Sequence, residues 1–561
     1  MSTQDAERVL QPALILGLDG ACFEVLDPLI AAGRLPNLAA WRAQGVSRPL
    51  RSTVPPMSFP AWSTFLTGLG PGRHGLFDFT QKAPDAYRLA FANASDRRGT
   101  PFFTRVSRAG GRCLVLGVPG TFPPEPVNGL LVSGFDAPVS TGSDARSASD
   151  PELYERVADR VGPWMRADLD EGADSEDWHE RAVGHLLARI DRKRDFALEA
   201  LSQLRAAHDG ERPELMLVVF SESDTVAHHY WRDHDPNSPR HDPAASAVRR
   251  DAVGAVYERL DAACGRLRAA YGEDALCLIV SDHGGGGASK RVVHLNAKLH
   301  EAGMFARAGG RRGAALDTAA RSARDLALRL LPARLSERIF RRARFAAARL
   351  ESAARFGGID WSRTRAFSEE ANTQPGVWVN LRGREPAGSV APEDYEEVRD
   401  DIIALLQAWT LPDGGGPVVA RARRREEVYA GPCTDRAPDV VVELALDAGY
   451  ALSLVQTPWS NRKVEPVRTL EPGEFSGGRG RGMNGTHRPF GSWIATGAGA
   501  LDFDGTPEPS LEDVAPTLMR AMGVDWEGEF DGSVRFSEHV AYTADEEAIV
   551  AERLRNLGYL E

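Results

Sequence analysis

The sequence predicts an α/β fold, a mostly parallel central sheet with helices on both faces and an inserted helical cap. Short apolar runs without polar alternation recur along the chain, as they do in strands buried on both faces. They are LILGLD (Leu14 to Asp19), CLVLGV (Cys113 to Val118), LMLVVF (Leu215 to Phe220) and LCLIV (Leu276 to Val280). Helix-compatible segments lie between them, the rhythm that builds a parallel sheet. Acids stand just past several runs, Asp19 and Asp282 among them. That places them at the carboxyl edge of the sheet, where open α/β folds put their sites.

Taken in order, the first strand is followed by helices over Glu24 to Gln44, broken at Gly33 and Pro36. Thr53 to Gly75 then reads TVPPMSFPAWSTFLTGLGPGRHG, with one serine, Ser58, between a Pro-Pro pair and Phe59-Pro60. Proline fixes its own φ and restricts its predecessor, so the Ser58 hydroxyl sits on stiff backbone. A helix after it, over Ala61 to Leu66, would turn its N-terminal N–H groups toward an anion beside Ser58. Such an arrangement suits a nucleophile attacking phosphorus or sulfur. Leu130 to Ser133 is a shorter strand, and a polar helical excursion occupies about 140–211.

After the LMLVVF strand comes SESDTVAHHYW, with Asp224 and His228 four residues apart. On a helix that spacing puts both side chains on one face, within reach of one metal ion. A helix follows over Ala244 to Tyr271, and the next strand ends in Ser281-Asp282-His283-Gly284, where a run of four glycines lets the backbone turn sharply and approach a ligand. Residues 297–360, rich in Arg and Ala, read as an inserted basic helical cap between a first core segment, 1–296, and a second, 361–561. The α/β pattern resumes with strands at Val377 to Leu381 and Val440 to Leu444 and a helix over Pro392 to Ala408. A glycine-rich loop, Gly477 to Gly485, leads into Thr486-His487 and a strand from Trp493, and Ser510 with Asp513 opens a capped helix that Gly523 closes.

A length of 561 residues calls for several layers or an inserted domain. The net charge of −12 argues against a nucleic-acid-coating role but leaves small phosphorylated substrates open, because a metal site overrides the global field locally. Five dispersed cysteines without a CxxC pair do not form a disulfide framework. No run approaches the roughly 20 apolar residues of a membrane span. MSTQDAERVLQPA lacks the basic start and apolar core of a signal peptide, which makes the cytoplasm the expected compartment. The sequence carries no signal of oligomeric state.

Asp19, Asp224, His228, Asp282, His283 and His487, with Ser58, form a set at strand ends. Three aspartates and three histidines suit two borderline divalent ions such as Zn²⁺ or Mn²⁺. Two such ions roughly 4 Å apart are the usual clamp for displacement at phosphorus. His294 follows the Asp282 strand and is expected to line the pocket, and Trp62 is expected to stack on part of the substrate. His74 reads as structural, and His229 faces away from His228 on a helix.

On these residues the chain resembles the alkaline phosphatase superfamily. It is most similar to the type I phosphodiesterase/nucleotide pyrophosphatase branch and its bacterial phosphohydrolase and phosphomutase relatives. The resemblance rests on Asp19-Gly20, Ser58-Phe59-Pro60 with Thr67-Gly68 and His74-Gly75, Asp224-x-x-x-His228, Ser281-Asp282-His283-Gly284 and Gly485-Thr486-His487. Leu295-Asn296, Gly383-Arg384-Glu385, Asp513-x-x-Pro516-Thr517 and Leu557-Gly558-Tyr559-Leu560 extend it. The resemblance implies an alkaline-phosphatase-like core in which Asp19, Ser58, Asp282 and His283 hold one ion. Asp224, His228 and His487 hold the other, and Ser58 carries a phosphoserine intermediate. It implies a metal-dependent phosphohydrolase acting on phosphodiester or nucleotide-type esters. The alternatives are a phosphomutase or phosphotransferase of the same superfamily, or a noncatalytic binding protein. The chain departs from the pyrophosphatases in having Ser58 where they carry Thr, and Ala61-Trp62 where they carry Asn-His. Trp62 also stands where sulfatases carry the Arg of C/S-x-P-x-R, so the Ser58 hydroxyl is kept.

Overall fold

The apolar runs form the strands they predict. The computed structural model describes residues 10–83, 85–137, 145–165, 176–308, 355–370, 375–459, 464–475, 483–497 and 508–535. Its first strands are β1 (Ala13–Leu18), β2 (Val46–Arg51), β3 (Cys113–Leu116), β4 (Gly129–Val132), β5 (Leu215–Phe220) and β6 (Leu276–Val280). They are followed by β7 (Gly284–Val293), β8 (Gly376–Val379), β9 (Val419–Arg424), β10 (Val440–Leu444), β11 (Tyr450–Leu454), β12 (Val467–Thr469), β13 (Gly485–Arg488) and β14 (Phe490–Thr496). A seven-stranded sheet runs β2-β14-β6-β1-β5-β3-β4. β1 pairs parallel with β5 and β6, and β3 pairs parallel with β4 and β5, while β14 runs antiparallel between β2 and β6.

Helices cover both faces of this sheet. They are α1 (Phe23–Ala31), α2 (Pro36–Gln44), α3 (Ser58–Thr67), α4 (Phe102–Arg108), α5 (Pro151–Val161), α6 (Glu176–Ala206), α7 (Glu222–His234), α8 (Ala252–Tyr271), α9 (Leu295–Glu301), α10 (Tyr395–Gln407) and α11 (Val514–Met522). Alternate residues of β1 divide between two cores, as the two-residue period of a strand requires. Leu14, Leu16 and Leu18 pack with α1, α2 and α5 to α8. Ala13 and Ile15 pack with α3, α4 and α11. The polar excursion expected over 140–211 is therefore part of a layer. Its charged face meets solvent while Tyr154, Phe196 and Leu201 lie buried against the sheet. Among the described residues no helix is long and apolar enough to cross a membrane.

The expected second core segment from 361 onward is divided. Ala366–Phe367, β8, β10 and β9 form a separate antiparallel sheet that buries its own core against α10, and among the described residues β14 and α11 rejoin the seven-stranded sheet. The cap boundary at 296/297 falls inside α9, whose Leu299 packs in that second core with Phe305, Phe356 and Ile359. Residues 309–354 of the expected cap lie outside the described residues, as do 476–482 of the glycine-rich loop and the closing Leu557-Gly558-Tyr559-Leu560.

The glycines after His283 do not make a turn. They open β7, an extended strand, because the space beside it is filled. A Cβ on Gly284 would stand 2.1 Å from the Phe490 carbonyl oxygen. The Thr53 to Gly75 stretch is gripped from the second sheet's side. The Tyr429 hydroxyl donates to the Val54 carbonyl at 2.8 Å, and the Cys433 N–H donates to the Gly72 carbonyl at 2.8 Å.

Candidate active site

Strand register assembles the site. Gly17 of β1 lies opposite Val280 of β6, so two residues further on Asp19 comes opposite Asp282 at the carboxyl edge. Leu18 lies opposite Phe220 of β5, after which the chain turns into α7 and presents Asp224 and His228 one helical turn apart. β13 pairs with the start of β7, His487 opposite Gly285, and so returns the last histidine to the same edge. A Cβ on Gly485 would stand 2.3 Å from the Ala227 carbonyl oxygen, so only glycine lets β13 lie this close to α7.

The seven residues fall into two groups. In the first, Ser58 Oγ lies 3.5 Å from Asp19 Oδ1 and 3.2 Å from His283 Nε2. His283 Nε2 lies 3.4 Å from both Asp19 Oδ1 and Asp282 Oδ2. In the second, His228 Nε2 lies 3.1 Å from Asp224 Oδ2 and 3.0 Å from His487 Nε2. The rings of His283 and His487 stack with centroids 3.9 Å apart and join the groups.

Hydrogen bonds hold the candidate ligand residues in place. The Gly20 N–H donates to Asp282 Oδ1 at 3.2 Å, and the Ser223 hydroxyl donates to the Asp19 carbonyl at 2.6 Å. His283 Nδ1 faces the Gly284 carbonyl at 3.0 Å, and His228 Nδ1 faces the Gly485 carbonyl at 2.7 Å. A proton on each Nδ1 satisfies those carbonyls and leaves each Nε2 lone pair for a cation, the arrangement common to metal-binding histidines. Ser58 is the first residue of α3, whose first-turn N–H groups have no carbonyl within the helix to meet.

Charge crowding in this largely buried pocket asks for cations. Burial, with Asp282 and Asp224 beside it, raises the Asp19 pKa well above the usual carboxylate range. Burial and then Asp224 push Asp282 up to about 8. Burial also works against Asp224, but His228, His487 and His283 hold its carboxyl below the usual range. Burial and the nearby His283 push His487 well below the ordinary histidine value. Asp282 Oδ2 is buried without a hydrogen-bond partner among the described residues. Such an orphan costs roughly 1–3 kcal/mol unless something meets it. Asp19, Asp282 and His283 form one set of converging ligand atoms and Asp224, His228 and His487 another. Three carboxylates, three imidazoles and a hydroxyl fit two divalent ions.

Two expectations about the substrate pocket change. Trp62 is fully buried and its indole N–H donates to Asp19 Oδ2 at 3.1 Å, so its ring has no face for a substrate. It sits one helical turn below Ser58, and that spacing was the readable signal of its role. His294 is not brought to the site. β7 runs ten residues from Gly284, which carries His294 roughly 30 Å along the strand, where its Nδ1 meets the Val455 carbonyl. His74 is buried with Nε2 2.9 Å from Thr64 Oγ1 and Nδ1 accepting from the Leu76 N–H, a structural role as expected. His229 turns toward Trp178, away from the cluster.

Residues 13–468 match the family described as type I phosphodiesterase / nucleotide pyrophosphatase. No curated protein matches the chain. Among solved structures, it is similar to phosphonoacetate hydrolase from Sinorhizobium meliloti 1021 in complex with phosphonoformate, at 16% identity and a TM-score of 0.51 over 92% of this chain and 96% of that one. It is similar also to the same hydrolase in complex with phosphonoacetate, at 15% identity and a TM-score of 0.50 over the same shares. At these identities the likeness is one of fold.

Proposed function

The chain belongs to the type I phosphodiesterase / nucleotide pyrophosphatase family, and from that premise we propose that it cleaves small phosphodiesters through a phosphoserine formed on Ser58. It is a hydrolase acting on phosphoric ester bonds, within the alkaline phosphatase superfamily. The observation that carries the finer reading is the position of Ser58 Oγ, 3.2 Å from His283 Nε2 and 3.5 Å from Asp19 Oδ1, at the N-terminus of α3.

Asp19, Ser58, Asp282 and His283 would hold one divalent ion, and Asp224, His228 and His487 the other, with Zn²⁺ or Mn²⁺ suited to both. When bound, the pair supplies Lewis-acid stabilisation of the phosphoryl oxygens and lowers the pKa of the reacting hydroxyl and water. Ser58 Oγ attacks phosphorus in line, a bond forms between Oγ and phosphorus, and the bond from phosphorus to the ester oxygen breaks. The serine proton balances the alcohol that leaves. The first-turn N–H groups of α3 stand ready to receive the charge gathered on the phosphoryl oxygens. Water then attacks the phosphoserine, its oxygen passes to phosphorus, and Ser58 is restored. Trp62 fixes the carboxylate of Asp19 while this happens.

The test pairs wild type with Ser58→Ala on bis-p-nitrophenyl phosphate and p-nitrophenyl phosphate, after chelation and re-addition of Zn²⁺ or Mn²⁺. Turnover that favours the diester, requires the metal and falls at least about 10³-fold in Ser58→Ala is expected. Full activity in Ser58→Ala sinks the phosphoserine. Transfer of phosphate to an added alcohol in place of water turns the reading toward a phosphotransferase.

A further inference from the structure

A cavity lies beside the chain that leads into Ser58. About 70 Å³ in volume, it lies between the Ser58 stretch and the second sheet, with Val54 and Pro55 in its wall on one side and Glu369 and Trp378 on the other. Pro55 stands three residues before Ser58, so the two backbones are at most about 11 Å apart. Phe59, next to Ser58, packs against Phe79 with ring centroids 5.5 Å apart, and Phe79 leads directly into Thr80 and Gln81 of the same wall.

The wall carries polar groups that the fold does not satisfy. Thr80 Oγ1 and Gln81 Nε2 are buried without a hydrogen-bond partner among the described residues, and the Trp378 indole N–H and the Glu369 carboxyl face each other there as an ill-aligned buried pair. Orphans of this kind are rare in native interiors, and two of them beside a poorly aligned indole–carboxyl pair at one cavity point to a ligand that meets them once their side chains turn inward. Together they offer an indole N–H, an amide, a hydroxyl and a carboxyl, with the rings of Trp378, Phe77 and Tyr429 alongside.

Two features decide the chemistry of that ligand. Lys82 Nζ already lies 5.0 Å over the Trp378 ring and 3.0 Å from Glu385 Oε2, and Arg384 stands 5.6 Å from the same ring, so a second ammonium would meet repulsion there. Asp78 and Glu370 stand against Lys82 and Arg436 in the lining, so neither sign of charge dominates the wall. Burial, with Asp78 next, pushes Glu369 up to about 8, which leaves its carboxyl neutral and able to donate at neutral pH. A volume of 70 Å³ holds about five water-sized spheres, the size of a three-carbon alcohol.

We propose that this cavity is a subsite for the alcohol part of the ester and that it takes a small neutral polyol of glycerol size. The inference rests on the phosphodiesterase reading above and adds to it the class of alcohol. Thr80, Gln81, Glu369 and Trp378 meet the hydroxyls, the aromatic rings cover the carbon chain, and the phosphorus lies toward Ser58.

The test compares kcat/KM for glycerophosphoglycerol, dipropyl phosphate and bis(2-aminoethyl) phosphate in wild type, Trp378→Phe and Glu369→Gln, with bis-p-nitrophenyl phosphate as the reference ester. Wild type is expected to favour the glycerol diester over the propyl diester by about 100-fold, near tenfold for each of two hydrogen bonds. Each variant is expected to lose about tenfold of that ratio. The ratio is taken within one preparation, so a partly unfolded variant does not disturb it, and Glu369→Gln keeps the shape of the wall. A wild-type ratio near one, a ratio unchanged in both variants, or a preference for the aminoethyl diester overturns the subsite while turnover of the reference ester keeps the phosphodiesterase reading. If wild type leaves every ester intact with Zn²⁺ and with Mn²⁺, both readings fall together.

Discussion

Replacing Trp62 with phenylalanine separates a positioning residue from a core residue. The indole N–H meets Asp19 Oδ2 at 3.1 Å in a pocket with no exposure to solvent, and the other Asp19 oxygen faces Ser58 and His283. Without that donor the carboxylate is free to rotate, and the proton competes harder for it, since the Trp62 hydrogen bond is one of the influences that lower the Asp19 pKa. Loss of a partner behind a metal ligand typically costs 10–100-fold in metal affinity. The smaller ring also removes buried surface worth about 2 kcal/mol at ~0.8 kcal/mol per buried carbon. Phe65→Leu is the control, because the Phe65 ring packs edge-on against Trp62 at 5.1 Å and touches no ligating atom. Zn²⁺ affinity would be read by competition with a chromogenic chelator, alongside the thermal midpoint. Both variants are expected to melt earlier, and only Trp62→Phe to bind one ion about 10–100-fold more weakly. If Trp62→Phe matches Phe65→Leu in melting and binds both ions with wild-type affinity, the indole only fills space and the positioning argument is wrong.

Two other predictions concern His487 and His74. His487→Ala removes one of three ligands from the second group and is expected to reduce bound Zn²⁺ from two ions to one, measured by elemental analysis after gel filtration; retention of both ions would remove His487 from the ligand set. Burial first, and then Arg97, depresses the His74 pKa from 6.5 to about 3. The unfolded chain therefore binds a proton that the folded chain refuses between those values, and stability falls as pH drops through that window. The loss from pH 6.5 to pH 4 is about 3 kcal/mol. His74→Gln should flatten that acid slope in urea unfolding, and an unchanged slope would assign the acid sensitivity elsewhere.

The sheet and its site were legible for one reason. Parallel register carries information from the end of one strand to the end of its neighbour, so LILGLD and LCLIV, each with an acid just beyond, already place Asp19 beside Asp282. Helical spacing did the same for Asp224 and His228. What the residues hid depends on side-chain packing or on partners distant in sequence. An aromatic in a helix reads equally as core or as a stacking platform, and only the Trp62 hydrogen bond to Asp19 decides between them. The glycines after His283 read as a turn because glycine permits one, whereas here they admit Phe490 and Arg488 against an extended strand. His294 follows the Asp282 strand in sequence but rides away on β7, since strand length separates residues that a turn would have kept together. The second sheet is closed by an antiparallel pairing of strands far apart in the chain, Val377 with Val440, and local periodicity does not show such a pairing.

That second sheet also bears on Ser58. The seven-stranded sheet alone fixes Asp19 and Asp282 and starts α7, but the stretch on both sides of Ser58 is held from the second sheet's side, where the Tyr429 hydroxyl binds the Val54 carbonyl before it and the Cys433 N–H binds the Gly72 carbonyl after it. The proposed metal ligands are therefore set mainly by the larger sheet and its return strand, and the approach to Ser58 by both bodies. A phosphoester hydrolase built this way can keep its displacement chemistry constant while the smaller sheet changes the alcohol it accepts. The orphaned polar atoms around the 70 Å³ cavity lie where the two bodies meet, which is where such a division of labour would place specificity.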